Sequence, residues 1–355
     1  MRLSLAQLKY PIVQAPMGGG PSTPELAAAV SEAGGLGFLA APYKSVDEVR
    51  ADVQAVRTRT NKAFGVNVFV PSPGAAAAGV IERYAGTLRG DAERQGVDLG
   101  EPGHDDDGWH DKLALVADER VPVVSFSFGC PPAGAIEQLR RGGAAVWVTV
   151  TTPGEAAVAA ESGADALVVQ GVEAGAHRGS FDDRSPGEVG LLALLQLVAA
   201  VVDTPIVATG GIVTGRAIAA VLTAGAAAAQ LGTAFMLTPE AGTSAVHREA
   251  LRSDHETALT RAFTGRTARG IVNRFLREHS ADAPSAYPEV HHLTAPLRNA
   301  ARARGDADGL HLWAGQAHSL AEEAPAGELV VRLGGEASRV LAETARALAP
   351  GWVGQ

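Results

Sequence analysis

The sequence predicts a (β/α)8 TIM barrel, an α/β fold, that carries a smaller, mainly helical lid. Three observations lead there. Short apolar runs alternate with Ala-rich helical stretches from residue 11 to about 233, the pattern of parallel βαβ units. There are eight such runs, the number that closes a barrel. After Thr233 the rhythm stops, and residues 240–320 read as helices and loops rich in Arg, His and Pro. The strands are expected at 12–14, 37–40, 64–69, 122–126, 145–149, 166–170, 205–208 and 228–231. Of the helices between them, one at 23–33 opens on Ser22, Thr23 and Pro24 and stops at Gly34-Gly35, and one at 214–224 is ended by Gly225. The most apolar stretch, 189–202, is shorter than the ~18 residues of a membrane span and reads as a helix buried against the sheet. Between the third and fourth strands, the long connection 71–120 holds the polar segment 103–111, read as solvated loop rather than as metal ligands. Residues 1–238 are thus the expected barrel and 239–325 a lid inserted after the eighth strand. An amphipathic helix at about 335–349 is expected to complete the barrel. Loops after the strands build the active face of such a barrel, so the lid is expected to lie over it.

Of the 355 residues, 46% are hydrophobic and 19% charged, which suits a compact core and argues against disorder. A net charge of −9 argues against a broad nucleic-acid surface, which needs clustered Lys and Arg. A small-molecule partner is expected instead. With one cysteine, Cys130, the chain forms no internal disulfide and no Cys-based zinc cluster. Nothing in the segment Phe-Gly-Cys-Pro-Pro predicts a lowered thiol pKa, so Cys130 is read as structural. No signal-peptide pattern or membrane span is present, and a soluble, cytoplasmic protein is expected, with homo-oligomerisation left open.

The chemistry is expected where the strands end. The first strand runs into Ala15-Pro16-Met17-Gly18-Gly19-Gly20, the third carries Asn67, and the fourth ends in Ser125-Phe126-Ser127. The sixth ends at Gln170, the seventh runs into Thr209-Gly210-Gly211, and the eighth into Gln230-Leu231-Gly232-Thr233. Barrels commonly bind phosphate with backbone N–H groups after strands seven and eight. Gly210, Gly211 and Gly232 remove side chains that would block that approach, and Thr233 adds a hydroxyl. Tight strand-to-helix turns are the competing reading of these glycines. Asn67 and Gln170 offer amides that suit the polar edge of an isoalloxazine ring, with a polar core role as the alternative. Beyond Gln170, the loop 171–179 holds His177 among small residues, and imidazole is the side chain best suited to proton transfer near neutral pH. A solvated loop histidine competes with that reading. Neighbouring Arg178 is expected either to assist electrostatically or to form a surface ion pair with Asp182 or Asp183, and His291 and His292 are expected in surface or packing roles, with substrate contact as the alternative. Neither Gly-x-Gly-x-x-Gly after the first strand nor a P-loop is present.

These motifs together resemble the nitronate monooxygenases, once called 2-nitropropane dioxygenases. The resemblance rests on Pro11-Ile-Val-Gln-Ala-Pro-Met17, Gly65-Val-Asn-Val-Phe69, Val123-Val-Ser-Phe126 and Gln170-Gly through His177-Arg-Gly179. It continues with Ala208-Thr-Gly-Gly-Ile212 and Gln230-Leu-Gly-Thr233, and in the lid with Ala262-Phe-Thr-Gly-Arg266, Ala268-Arg-Gly-Ile271, Tyr287-Pro-Glu289 and Leu312-Trp-Ala-Gly-Gln316. Nearly the whole chain is covered. The resemblance implies FMN bound through Pro16, Met17, Gly18, Asn67, Gln170, Gly175, Gly210, Gly211, Gln230, Leu231, Gly232 and Thr233. It places His177 at the catalytic base, with Ser125 and Gln316 toward the substrate. The implied reaction takes a nitronate, or in some members a nitroalkane after His removes its α-proton, and with dioxygen gives a carbonyl compound and nitrite. No metal, nicotinamide or nucleic acid is implied. Ser127 stands where some relatives carry a larger or aromatic residue, which bears on substrate scope. Two other readings stay open at this point: an FMN-dependent enoyl-thioester reductase using NAD(P)H, and a non-catalytic flavin-binding barrel.

Overall fold

The computed structural model describes residues 2–72 and 74–348, and each of the eight expected runs is a strand there. In chain order the strands are β1 (Ile12–Gln14), β2 (Gly37–Ala40), β3 (Phe64–Phe69), β4 (Val123–Ser127), β5 (Ala145–Val150), β6 (Ala166–Gln170), β7 (Ala176–His177), β8 (Ile206–Thr209) and β9 (Ala228–Leu231). All but the two-residue β7 form one parallel sheet in the order β1-β9-β8-β6-β5-β4-β3-β2. The ring closes where the Gln14 N–H donates to the Leu36 carbonyl at 2.9 Å and the Leu36 N–H to the Ile12 carbonyl at 3.0 Å.

Side-chain alternation along these strands decides where a cavity can exist. Inward positions near the strand starts are apolar: Val13, Phe38, Val123, Ala145, Trp147, Ala166, Val168, Val207 and Ala228 form one buried cluster. Phe38 and Trp147 fill its centre with ring centroids 5.5 Å apart, and Gly65 makes room for them, since a Cβ there would fall 2.2 Å from the Phe38 ring. Two residues further along β3, β5, β6, β8 and β9 the inward positions become polar: Asn67, Thr149, Gln170, Thr209 and Gln230. The barrel is therefore solid at its N-terminal end and open at its C-terminal rim.

Outward positions pack on the helices, which the sequence caps as anticipated. Thr23 accepts from the Leu26 N–H to start the helix Pro24–Glu32, and Thr214 accepts from Ala217 to start Gly215–Thr223. The apolar stretch forms the helix Leu191–Ala199, with Leu194, Leu195 and Val198 buried. The closing helix is longer than expected, Ala326–Leu348, and it is the first half that covers the barrel. Leu329, Val330 and Leu333 are buried against the core, each worth roughly 1.5–3 kcal/mol of apolar burial, whereas beyond Ala337 only Val340 and Leu341 still pack on it, both partly buried. No helix among the described residues is long and apolar enough to cross a membrane.

The region after Thr233 departs from the expectation of helices and loops. Two strands, β10 (Thr257–Thr260) and β11 (Ala268–Ile271), pair antiparallel, and β11 pairs in turn with β7 from the loop after β6. Short, polar strands of this kind lack the apolar alternation by which strands are read from sequence. Helices Arg274–His279 and Glu289–Arg304 complete this layer. Its core, Phe263, Phe275, Val290, Leu293 and Leu297, is shared with Ile81, Tyr84 and Leu88 from the 71–120 connection. That excursion thus supplies helices to the lid layer.

Candidate active site

Beneath the layer built from the residues after Thr233, at the C-terminal rim, lies a cavity of about 710 Å³. Its floor is the polar tier of the barrel: Asn67, Ser127, Thr149, Gln170, Thr209 and Gln230. Asn67 is held by β4, its Nδ2 donating to Ser125 Oγ at 2.9 Å and to the Ser125 carbonyl at 3.2 Å. The Gln230 amide has no protein partner among the described residues and is left to the cavity.

The loop after β6 is fixed from below and above. The Gln170 Nε2 donates to the His177 carbonyl at 3.0 Å, while its Oε1 accepts from Arg178 Nη1 at 3.0 Å and from the Gly179 N–H at 2.8 Å. Arg178 is not at the surface and pairs with neither Asp182 nor Asp183, which bind Arg184 and Arg261 instead. Its guanidinium gathers the carbonyls of Gln170, Gly171 and Gly187, clamping both ends of the loop. From above, the Arg178 N–H donates to the Thr267 carbonyl at 2.8 Å as β7 joins β11. The imidazole of His177 thereby stands at the cavity wall, ringed by Phe128, Tyr287 and Trp313 at centroid distances of 5.6, 5.9 and 5.7 Å.

The partner of that imidazole is a hydroxyl: His177 Nε2 lies 2.9 Å from Thr264 Oγ1. Thr264 Oγ1 also lies 3.2 Å from the Arg266 carbonyl, and with its proton directed there Nε2 is the donor and Nδ1 the basic nitrogen. Burial, then the positive charge of Arg266 with a smaller push from Arg298, holds the imidazole down at about 3 against the pull of Asp183. His177 is therefore neutral at physiological pH.

Across the cavity, the loops after β8 and β9 form a glycine-lined cradle. Gly210 and Gly211 take φ of +124° and +68°, conformations that L side chains rarely adopt. Gly232 differs: its φ is −103°, and a Cβ there would meet only Ala15 Cβ at 3.6 Å and Met17 Sδ at 3.8 Å. The protein itself does not require glycine at 232, so what its missing side chain leaves free is cavity. Among the described residues, the N–H groups of Gly211, Gly232 and Thr233 have no intramolecular acceptor. Thr233 Oγ1 accepts from the Gly315 N–H at 3.0 Å, tying the cradle to the lid.

The helix Glu289–Arg304 lines the roof with His291, Ala295, Arg298, Asn299 and Arg302, one helical face. Tyr43 stacks on His291 at 4.4 Å, and the Tyr287 hydroxyl donates to that of Tyr43 at 3.2 Å.

Of the residues singled out in the sequence, Pro16, Met17, Gly18, Asn67, Gln170, Gly175, His177, Gly210, Gly211, Gln230, Gly232 and Thr233 all line this one cavity. Three do not. Ser125 is buried beneath Asn67, its hydroxyl taken by that amide. Leu231 points outward into the helix layer, because alternation turns it away from the barrel axis that Gln230 faces. Gln316 is exposed, held among the described residues through its N–H to the Glu173 carbonyl at 3.0 Å. Gly175 lines the cavity, but its lack of a side chain is explained by the lid, since a Cβ would lie 2.6 Å from the Gly315 nitrogen. His291, expected in a surface or packing role, lines the cavity, whereas His292 pairs with Asp105 at 2.7 Å outside it. Nothing local in the sequence marks Thr264, Tyr43, Phe128, Tyr287, Trp313 or Arg298 as part of the site. Residues 291, 295, 298, 299 and 302 follow a helical repeat that would have marked the roof. Cys130 is half-buried, and burial pushes its thiol up, consistent with an inert role.

A family model described as nitronate monooxygenase matches residues 2–336. A nitronate monooxygenase from Pseudomonas aeruginosa is 42% identical over 344 residues, spanning 92% of this chain and 95% of its own. Among solved structures, a nitroalkane oxidase from Streptomyces ansochromogenes is similar with a TM-score of 0.92 and 53% identity, covering 97% of this chain and 99% of the other. FabK from Thermotoga maritima is similar with a TM-score of 0.77 and 28% identity, covering 97% of each chain.

Proposed function

The chain belongs to the nitronate monooxygenase family of flavin-dependent oxidoreductases, and from that premise we propose that it binds FMN and oxidises alkyl nitronates with dioxygen to carbonyl compounds and nitrite. The observation that carries the proposal is the pairing, in one cavity, of a neutral imidazole at His177 with a glycine cradle whose N–H groups are unused. The residues fit the cofactor. The N–H groups of Gly211, Gly232 and Thr233 suit its phosphate, and the Asn67 and Gln230 amides face the cavity where the ring's polar edge would lie. When bound, FMN supplies the acceptor for the substrate's electrons and their route to dioxygen.

The chain's own residues supply orientation and one proton site. Gln170 and Arg178 hold the loop, and Thr264 keeps the His177 proton on Nε2. An anion arriving beside Nδ1 relieves the depression of the imidazole pKa, so nitronate binding is coupled to proton uptake there, and the new N–H donates to a nitro oxygen. Phe128, Tyr287 and Trp313 exclude water around that contact. A second substrate is favoured by the free Nδ1 and by the likeness to a nitroalkane oxidase. With a neutral nitroalkane the same atom takes the α-proton, and both substrates converge on an imidazolium beside a nitronate. The reductase and ligand-binding alternatives are not favoured by the match to this family over residues 2–336. We also assign residues 239–325 the role of a lid that completes the site, since Thr264, Arg298 and Trp313 come from it.

The test is a steady-state survey of small nitronates that follows oxygen uptake and nitrite, with NADH as the rival electron donor. Nitrite from at least one nitronate, with no comparable NADH oxidation, is expected. Rapid NADH oxidation with every nitronate ignored would overturn the proposal.

A further inference from the structure

Arg298 is a buried cation without a counter-charge. Only 7% exposed, it sits on the cavity face of the roof helix. Its Nε donates to Thr294 Oγ1 at 3.1 Å, and its Nη2 to the His291 carbonyl at 2.7 Å, with His291 Nδ1 at 3.3 Å. Among the described residues no acceptor takes Nη1, and no Asp or Glu pairs with the guanidinium. Arg178 shows how this chain settles a buried guanidinium that faces no cavity. Its Nη1 and Nη2 are spread over four acceptors, Gln170 Oε1 and the carbonyls of Gln170, Gly171 and Gly187. Burial pulls Arg298 down to about 10, which still leaves it charged at neutral pH. An unpaired charge held out of water is costly unless a partner arrives.

Two anions can enter this cavity, the cofactor's phosphate and the substrate. The unused N–H groups that suit the phosphate stand at the ends of β8 and β9. Arg298 stands elsewhere, against His291, whose ring stacks on Tyr43 and lies 6.3 Å from that of Tyr287, the ring that flanks His177 at 5.9 Å. It belongs to the reacting side.

We propose that Arg298 is the specificity residue for the substrate's charge, its Nη1 receiving the nitro oxygens of a nitronate and favouring that planar anion over the neutral nitroalkane. The proposal rests on the nitronate-oxidising reading above. A planar guanidinium matches a planar oxyanion in geometry as well as charge, which a lysine at the same place does not.

The experiment uses the FMN-loaded enzyme and three proteins: wild type, Arg298→Gln and Arg298→Lys. Anaerobic flavin bleaching by propyl-2-nitronate, followed against its concentration, separates the apparent Kd from the limiting rate. In Arg298→Gln the Kd should rise roughly tenfold to a hundredfold with a smaller change in limiting rate, and Arg298→Lys should recover part of the loss. FMN content should match wild type in both. Nitrate, an unreactive planar anion, should perturb the flavin spectrum of wild type and not of Arg298→Gln. An unchanged nitronate Kd in Arg298→Gln overturns the proposal, as does nitrate that binds wild type no better than the variant. A variant that loses FMN affinity but keeps its nitronate Kd once saturated with FMN assigns Arg298 to the phosphate and equally overturns it. If no nitronate bleaches wild type, the functional reading fails on its own, and the nitrate comparison still decides whether Arg298 forms an anion site.

Discussion

Gly232→Ala separates what the fold requires from what the ligand requires. With φ −103° and ψ −74°, alanine meets little backbone penalty at 232, and its methyl would make only ordinary contacts, 3.6 Å to Ala15 Cβ and 3.8 Å to Met17 Sδ. The flavin-free protein should therefore change in stability by no more than about 0.5 kcal/mol. Once the cradle is filled, the methyl competes with the ligand for space, and overpacking of a filled site costs about 1–3 kcal/mol. At 1.4 kcal/mol per tenfold, the Kd for FMN should rise roughly fivefold to a hundredfold. Gly210→Ala is the contrast: its φ is +124°, and a Cβ would lie 3.2 Å from the Gly171 carbonyl oxygen, so it should destabilise the flavin-free protein itself. The assay strips the flavin, measures thermal unfolding of each protein, and then titrates FMN by the quenching of its fluorescence. An unchanged FMN Kd in a normally folded Gly232→Ala protein would refute the placement of the phosphate.

Two further predictions concern His177. Replacing it by Asn while FMN stays bound should lower kcat on a neutral nitroalkane about 10²–10⁴-fold, the usual worth of a general base, with the nitrite assay as readout. The same variant should flatten the acid limb of stability. The folded imidazole is held at about 3 while the unfolded one titrates near 6.5, so the unfolded chain binds the extra proton; stability is full above about 6.5 and falls as pH drops toward 3, by up to about 1.4 kcal/mol per unit. Thermal unfolding of wild type and His177→Asn across that window checks it, and parallel curves would contradict the burial of a neutral imidazole. Thr264→Val removes the acceptor for Nε2, so kcat should fall while KM and FMN content hold, and Thr264→Ser should restore it. A loss that serine does not rescue would point to packing instead.

The barrel is legible because buried parallel strands are short apolar runs, and a polar residue at or near the end of a run reads as a rim residue. That logic reached Asn67, Gln170 and Gln230, and with the glycine loops it outlined the floor of the cavity. It failed one residue away at Leu231, where alternation turns the side chain outward, and at Ser125, which a neighbour covers. At Arg178 the adjacent aspartates suggest a surface ion pair as one of two readings, whereas the loop's own carbonyls claim the guanidinium. The roof was hardest to see. Thr264, Tyr287 and Trp313 lie in segments quoted for the family likeness, but nothing local ties them to His177. The antiparallel pairing of β7 with β11, two strands too short and polar to announce themselves, ties this layer to the His177 loop, and Trp313 bridges to it at Gly270.

The central claim, one cavity that binds flavin and presents His177 to a nitronate, is tested most directly by mixing the purified FMN-loaded enzyme anaerobically with propyl-2-nitronate and watching the visible flavin band, then admitting air. The account predicts bleaching by the nitronate, and nitrite and acetone once oxygen enters. A flavin that stays oxidised with the nitronate and bleaches only with NADH would contradict it.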